Sequence, residues 1–347
     1  MEVDFLLIGQ GLAGTALSYR MAENGLSFII YDTPAANVSS RVAAGLYNPV
    51  TGKKMVRTWL ADRLFPEIEP FYQSLEEFLG KRFLVQKQIY RPFLNIEEQN
   101  EWMGHSGDPF LQPYFEKIFT REVYKEVINP YGGILLKNSG YLEIPVLLDA
   151  YAKRMVDAGF LRQEYFDEEV LLVDNEGVRY KDVKAKGIIF CNGLGAMKSH
   201  FFSNLPFAPV KGEIMDIQQE FHPEEIINRG VFRISLSNGL HRVGSTYSWH
   251  DLELGPTERG KNEILEKLDK LVKLKERQIV RHVHGLRPAT KDRRPFLGKH
   301  PSFKNVYIFN GFGAKGVSLI PYFSKVFMEL LIEGKEPEIE ANIKRCK

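Results

Sequence analysis

Two kinds of hydrophobic pattern alternate along the chain. Short, nearly unbroken apolar runs at residues 3–8, 27–31, 186–191 and 305–309 read as strands buried on both faces, as in a parallel sheet. A further run at 169–173, closed by the turn Asn175-Glu176-Gly177, reads the same way. Longer stretches at 15–24, about 59–79, 146–157, 258–275 and 317–332 read as helices, the first stopped by Gly25. The lysines and glutamates of 258–275 give that helix a solvated face. Residues 232–247 depart from this pattern and read as a hairpin turning at Asn238-Gly239. The expectation is an α/β chain with a parallel sheet, plus a second α+β domain built on an antiparallel sheet.

Composition narrows the picture. A length of 347 residues suggests two domains, and 44% hydrophobic with 26% charged residues excludes disordered, collagen-like and coiled-coil chains. Lys+Arg 46 against Asp+Glu 44 leaves a net charge of +2, without the basic stripe of a dedicated nucleic-acid binder. Cys191 and Cys346 cannot form a disulfide framework or a zinc site, so a reducing compartment is expected. The acidic start does not fit a signal peptide, and no apolar run reaches the roughly 20 residues a membrane span needs. A cytoplasmic protein is expected, with residues 340–347 as a short surface tail.

The first candidate chemistry lies where strand 3–8 meets the helix. Gly9-Gln10-Gly11-Leu12-Ala13-Gly14 has the dinucleotide-binding spacing in its required strand–turn–helix context, and Asp32 ends the next strand. Gly9 allows the tight turn, Gly11 lets backbone approach a pyrophosphate, and Gly14 lets the helix pack on the strand. The helix start favours the phosphates, and the Asp32 carboxylate suits ribose hydroxyls. The fold expected here is Rossmann-like; the motif alone does not choose between FAD and NAD. A second glycine-rich strand-to-helix junction, residues 310–316, lies near the other end of the chain. Its helix start would also stabilise negative charge.

Other residues have two readings. The small-residue stretch 39–49 suits close approach to a flat ring, or is an ordinary loop. Tyr47 and Tyr247 are aromatic walls or core packing. Lys53, Lys54 and Arg57 receive an anionic substrate or tRNA phosphates, or are solvated surface. His282 and His284 share a strand face but lack a third ligand, so no metal site is expected. Cys191 reads as packing rather than as a nucleophile.

Taken in order, residues 9–14 with Asp32, Ala43-Ala44-Gly45, Asn192-Gly193, Val210-Lys211-Gly212-Glu213, 285–292 and 311–316 resemble the D-amino-acid oxidase superfamily of FAD-dependent oxidoreductases. The resemblance covers almost the whole chain. Within that superfamily the chain is similar to the glycine oxidase and sarcosine oxidase branches. Residues 239–247 and 44–49 also resemble the FAD oxidase domain of the bifunctional enzyme of tRNA 5-methylaminomethyl-2-thiouridine biosynthesis. With the FAD strand beginning at residue 3, that enzyme's methyltransferase part is expected to be missing.

The resemblance implies domains at 1–64, 140–205 and 286–347 for FAD, and at 65–139 and 206–285 for substrate. It places Gly9, Gly11, Leu12, Ala13 and Gly14 at the pyrophosphate and Asp32 at the ribose. Ser40, Arg41, Ala44, Gly45 and Leu46 would line the pyrophosphate and flavin, and Val170 would meet the adenine. Asn192 and Gly193 would close the cleft. Gly313, Ala314, Lys315, Gly316 and Val317 would turn N–H groups toward the flavin N1–C2 edge. Arg287 falls where the family grips a substrate carboxylate, a role that suits a planar guanidinium; its alternative is a structural ion pair with Asp292.

Departures bear on the substrate more than on the cofactor. Phe232 stands where glycine oxidase has a tyrosine, and Ala314 replaces a second arginine, leaving Lys315 to supply positive charge. Gly195 stands where a tryptophan is frequent, and with no cysteine near 285 the FAD is expected to be non-covalent. The implied reaction is oxidation of the C–N bond of a small amino acid or secondary amine. Hydride would pass to flavin N5, the imine would hydrolyse, and O2 or another acceptor would take the electrons. Two other readings stand beside it. One is a tRNA-modifying oxidase acting on carboxymethylaminomethyl-uridine; the other is a flavin-binding subunit without oxidase turnover. Oligomeric state is left open.

Overall fold

The computed structural model describes residues 1–33, 39–51 and 56–346. Among these, two eight-stranded sheets dominate. In the first, the strand Glu2–Ile8 pairs in parallel with Phe28–Tyr31 on one side and Val183–Phe190 on the other. The strand Val306–Asn310 pairs in parallel with Val183–Phe190, and Leu161–Arg162 with Phe28–Tyr31. Helices Leu12–Glu23 and Gly316–Glu333 join one apolar core with this sheet through Leu17, Met21, Phe323 and Phe327. Burial on both faces explains why these strands read as apolar runs without alternation.

The second sheet is mostly antiparallel, and Val210–Gln218 is flanked by Gln278–Arg287 and His241–Gly244. The expected hairpin is present as Phe232–Ser235 and His241–Gly244. The domain division drawn from the sequence is retained as a proposal. It keeps the first sheet whole, while the strand Gln278–Arg287 runs two residues past the proposed boundary at 285.

Three sequence expectations need correction. Residues 169–173 are not one strand: a 3-10 turn Glu168–Val170 precedes the short strand Leu172–Val173, because Asp167 accepts from the Glu169 N–H and caps the turn. The helix expected over 258–275 ends at Asp269, after which Leu271 and Val272 turn into the core and the Ile128 N–H donates to Leu271 O (2.9 Å). The C-terminal segment is no surface tail. The Leu297 N–H donates to Ala341 O (2.9 Å), Asn342 and Ile343 are buried, and Arg345 reaches Asp292 at 2.7 Å.

Candidate functional site

Both glycine-rich junctions open onto one cleft of about 2360 Å³, lined by Gly9–Ala13 at one end of the chain and Gly311–Leu319 at the other. Gly9 has φ +99, and a Cβ there would lie 2.8 Å from the Asn192 backbone. At Gly14 a Cβ would lie 1.9 Å from the Gly9 carbonyl oxygen, which accounts for the close helix–strand packing read from the sequence. Gly14 itself therefore sits behind the junction rather than on the cleft wall. Asn310 Nδ2 donates to Gly193 O (2.9 Å), tying the second junction to the strand end beside the first.

Of the remaining proposed cofactor residues, all but Val170 gather at the same cleft. Asp32 lines it and accepts from the Gln10 N–H (3.0 Å); burial raises its carboxyl above the usual range, against smaller opposing effects of that bond and Arg41. Ser40 Oγ accepts from the Leu12 N–H (3.2 Å), and Arg41 pairs with Asp149 at 2.7 Å. Ala44, Gly45, Leu46, Asn192, Gly193, Gly313, Ala314, Lys315, Gly316 and Val317 also line the cleft. These features fit a dinucleotide. Glycines close the backbone at the first helix start, the half-buried Asp32 carboxylate lies on the wall, and Asn192 Oδ1 is buried with no hydrogen-bond partner among the described residues.

Two proposed residues lie elsewhere. Val170 is half exposed on its 3-10 turn and does not line the cleft, whereas Gln163 does. Tyr47 is buried in the core with its hydroxyl 3.3 Å from Glu69 Oε1, so its ring is packing and not a site wall. Lys53 and Lys54 lie outside the described residues.

In the same cleft, Arg287 is held by neutral neighbours. Nη2 donates to Ser245 Oγ (2.9 Å), Nη1 donates to Thr246 O (3.3 Å), and the guanidinium carbon lies 4.2 Å from the Tyr247 ring centroid. Burial lowers its pKa, and no carboxylate pairs with it among the described residues; Asp292 is taken by Arg345. The alternative of an Arg287–Asp292 pair is thereby excluded. Phe232 and Tyr247 line the cleft beside it. Lys315 also lacks a carboxylate partner among the described residues: Nζ donates to Thr58 Oγ1 (3.3 Å) and Thr51 Oγ1 (3.4 Å). Burial first, then Arg294 and Arg293, lower its pKa.

Sequence reasoning missed several contributors. Gly212 and Ser245 shape the Arg287 position, and Gly212 lay within a motif already singled out. Trp59 lines the cleft with Arg294 stacked over its ring at 4.1 Å, a pairing with no local signal. His282 Nε2 lies 2.9 Å from Glu213 Oε2, and the described residues hold no metal-ligand cluster. Burial pushes the Cys191 thiol up, away from a nucleophile's range.

Comparison with known proteins gives the family. A family model described as "FAD dependent oxidoreductase" matches residues 4–330. Glycine oxidase of Pseudomonas aeruginosa is 27% identical over 139 residues, covering 39% of this chain and 38% of that protein. The tRNA 5-methylaminomethyl-2-thiouridine biosynthesis bifunctional protein MnmC of Legionella pneumophila (strain Corby) is 21% identical, covering 91% of this chain and 52% of that protein. The chain thus spans about half or less of these two relatives. The crystal structure of glycine oxidase from Bacillus cereus ATCC 14579 shares the fold, with a TM-score of 0.79 at 23% identity and 96% of each chain covered. With the match running over nearly the full length, the chain belongs to the DAO family of FAD-dependent oxidoreductases, and its cofactor is FAD.

Proposed function

We propose that the protein oxidises the C–N bond of a small amino acid or secondary amine that carries a carboxylate. The observation that carries this reading is Arg287: half-buried, anchored by neutral partners, unpaired with any described carboxylate, and in the same cleft as both glycine-rich junctions. Desolvation already disfavours the charge of this guanidinium, and an anionic ligand would compensate it. Ser245 and Thr246 fix its direction, and Tyr247 covers its face, so a carboxylate is received at the remaining edge. Phe232 and Ile214 line the cleft nearby and exclude water from the substrate's apolar side.

FAD, when bound, supplies the two-electron acceptor for hydride from the substrate's α-carbon. The chain's own contribution is orientation and charge: Arg287 aligns the substrate, and Lys315 adds positive charge at the second junction. No side chain is required as acid or base if the amine arrives unprotonated. We take O2, or another acceptor, as the final oxidant. Free Cys191 and Cys346 support a reducing, cytoplasmic setting, and no described helix is long and apolar enough to cross a membrane.

A second reading, oxidation of a carboxymethylaminomethyl group borne on tRNA, has its own support. Lys291, Arg293, Arg294 and Lys315 line the cleft together, a local concentration of positive charge that the near-neutral composition conceals. Steady-state kinetics on Arg287→Ala test the first reading, with raised KM or reduced kcat for an amino-acid substrate as the expected result. Unchanged values for both would overturn it. Turnover of modified tRNA but not of free amines would favour the second reading.

A further inference from the structure

The face of the second sheet behind the cleft holds a buried charge that the reaction does not use. Phe232 lines the cleft, so Arg233, next along the strand, points to the opposite side. Arg233 is fully buried. Nε donates to Gln219 Oε1 (3.1 Å), Nη2 donates to Phe221 O (2.5 Å), and the guanidinium carbon lies 4.8 Å from the Phe221 ring centroid. Every one of these partners is neutral. Among the described residues Nη1 has no partner, and no carboxylate pairs with the group.

Two further orphaned atoms share this face. Ser235 is two residues along from Arg233 and directly opposite His241 in the ladder. Its hydroxyl is buried without a partner. His241 is fully buried, with Nε2 2.9 Å from Gln219 O. A carbonyl only accepts, so Nε2 carries the proton and Nδ1, also unpartnered, is left as a lone pair. Gln219 thus bridges Arg233 and His241, and the ladder register puts the unpartnered atoms of Arg233, Ser235 and His241 on one face of the sheet.

We infer that this patch binds one small anion of halide size, held by Arg233 Nη1, Ser235 Oγ–H and the protonated Nδ1 of His241. A water molecule would satisfy the hydrogen bonds but leave the guanidinium charge uncompensated in the interior. The surrounding charge favours an anion. Burial, then Arg233, with His222 and Lys87 as smaller effects, holds His241 down at about 4. Lys87 is itself lowered by burial and raised by Glu225 and Glu224. An anion beside Arg233 reverses the cationic effects on His241, so binding takes up a proton and tightens as pH falls. The exposed His222 ring lies 4.7 Å from that of His241 and marks the way in.

The test uses the full-length, flavin-loaded protein. Melting temperature is followed in sodium chloride and bromide against sodium isethionate at matched ionic strength, at pH 6 and pH 8. A bromide-soaked crystal is read at the bromine edge. The expected result is a saturable rise in melting temperature with halide, with a lower midpoint at pH 6, and a bromide peak against Arg233 Nη1. His241→Gln should remove the pH dependence of the midpoint. Ser235→Ala, which deletes one oxygen and should fold even where an Arg233 variant does not, should raise the midpoint severalfold. Equal melting in halide and isethionate at both pH values, a water in place of bromide, or a midpoint unmoved by Ser235→Ala would each overturn the inference.

Discussion

The guanidinium of Arg287 lies directly on the backbone of Gly212: a Cβ built at Gly212 would fall 2.0 Å from Arg287 Nη2 and 2.3 Å from its Cζ. The two residues belong to adjacent strands, Val210–Gln218 and Gln278–Arg287, with Gly212 paired to Gly285. The bare backbone of Gly212 forms one wall of the slot, and the Tyr247 ring packs against the guanidinium at 4.2 Å. Gly212→Ala should therefore displace Arg287 while leaving the sheet paired. We expect kcat/KM for a carboxylate-bearing amine to fall by about 10- to 100-fold, the worth of a lost charged hydrogen-bond pair. Flavin content should stay unchanged, as an absorbance spectrum of the purified variant would show.

Gly9→Ala tests the first junction. The substitution meets the Asn192 backbone at 2.8 Å in a left-handed conformation, so strain and displacement both act at the dinucleotide turn. The variant should purify with little FAD and take it up weakly on reconstitution. Full occupancy at wild-type affinity would remove this turn from the cofactor site.

Lys315→Met separates charge from packing. The lysine has only threonine hydroxyls as described polar partners, and burial disfavours its charge. Replacing it should change stability by no more than about 1 kcal/mol, in either direction. Anaerobic flavin reduction by substrate should nevertheless slow. A wild-type reduction rate would show that Lys315 stands apart from the chemistry.

His241 should give the protein an acid-sensitive stability. Its folded pKa of about 4 lies below the ordinary value of 6.5, so the unfolded chain binds more protons between these limits. Stability is full above about pH 6.5 and declines as pH falls toward 4, by about 3 kcal/mol from this residue alone. Denaturant unfolding at pH 7 and pH 4.5 should show a smaller loss for His241→Gln than for wild type.

What the sequence disclosed was local. The turn at Gly9–Gly14 and the hairpin at Asn238-Gly239 were legible because each depends on a few neighbouring residue types and their backbone conformation, whereas Arg287 was singled out only through the family resemblance. Tyr47 was not, because a two-residue strand, Leu46–Tyr47, carries no alternation long enough to say which side chain turns inward. Val170 was misplaced because the loop after Leu161–Arg162 makes a capped turn that shifts the following strand. The partner of Asp292, Arg345, lies 53 residues further on, a pairing only the folded chain supplies.

The proposed reaction depends on a carboxylate gripped by Arg287 beside the flavin, and anaerobic flavin bleaching reads this most directly. Purified protein is mixed without air with paired amines that differ only in the carboxylate, such as glycine and methylamine or N-methylglycine and dimethylamine. The 450 nm flavin band should bleach with a carboxylate-bearing member, fail to bleach with its partner, and fail with both in Arg287→Ala. Equal bleaching by amines without a carboxylate, or by Arg287→Ala and wild type, would contradict it.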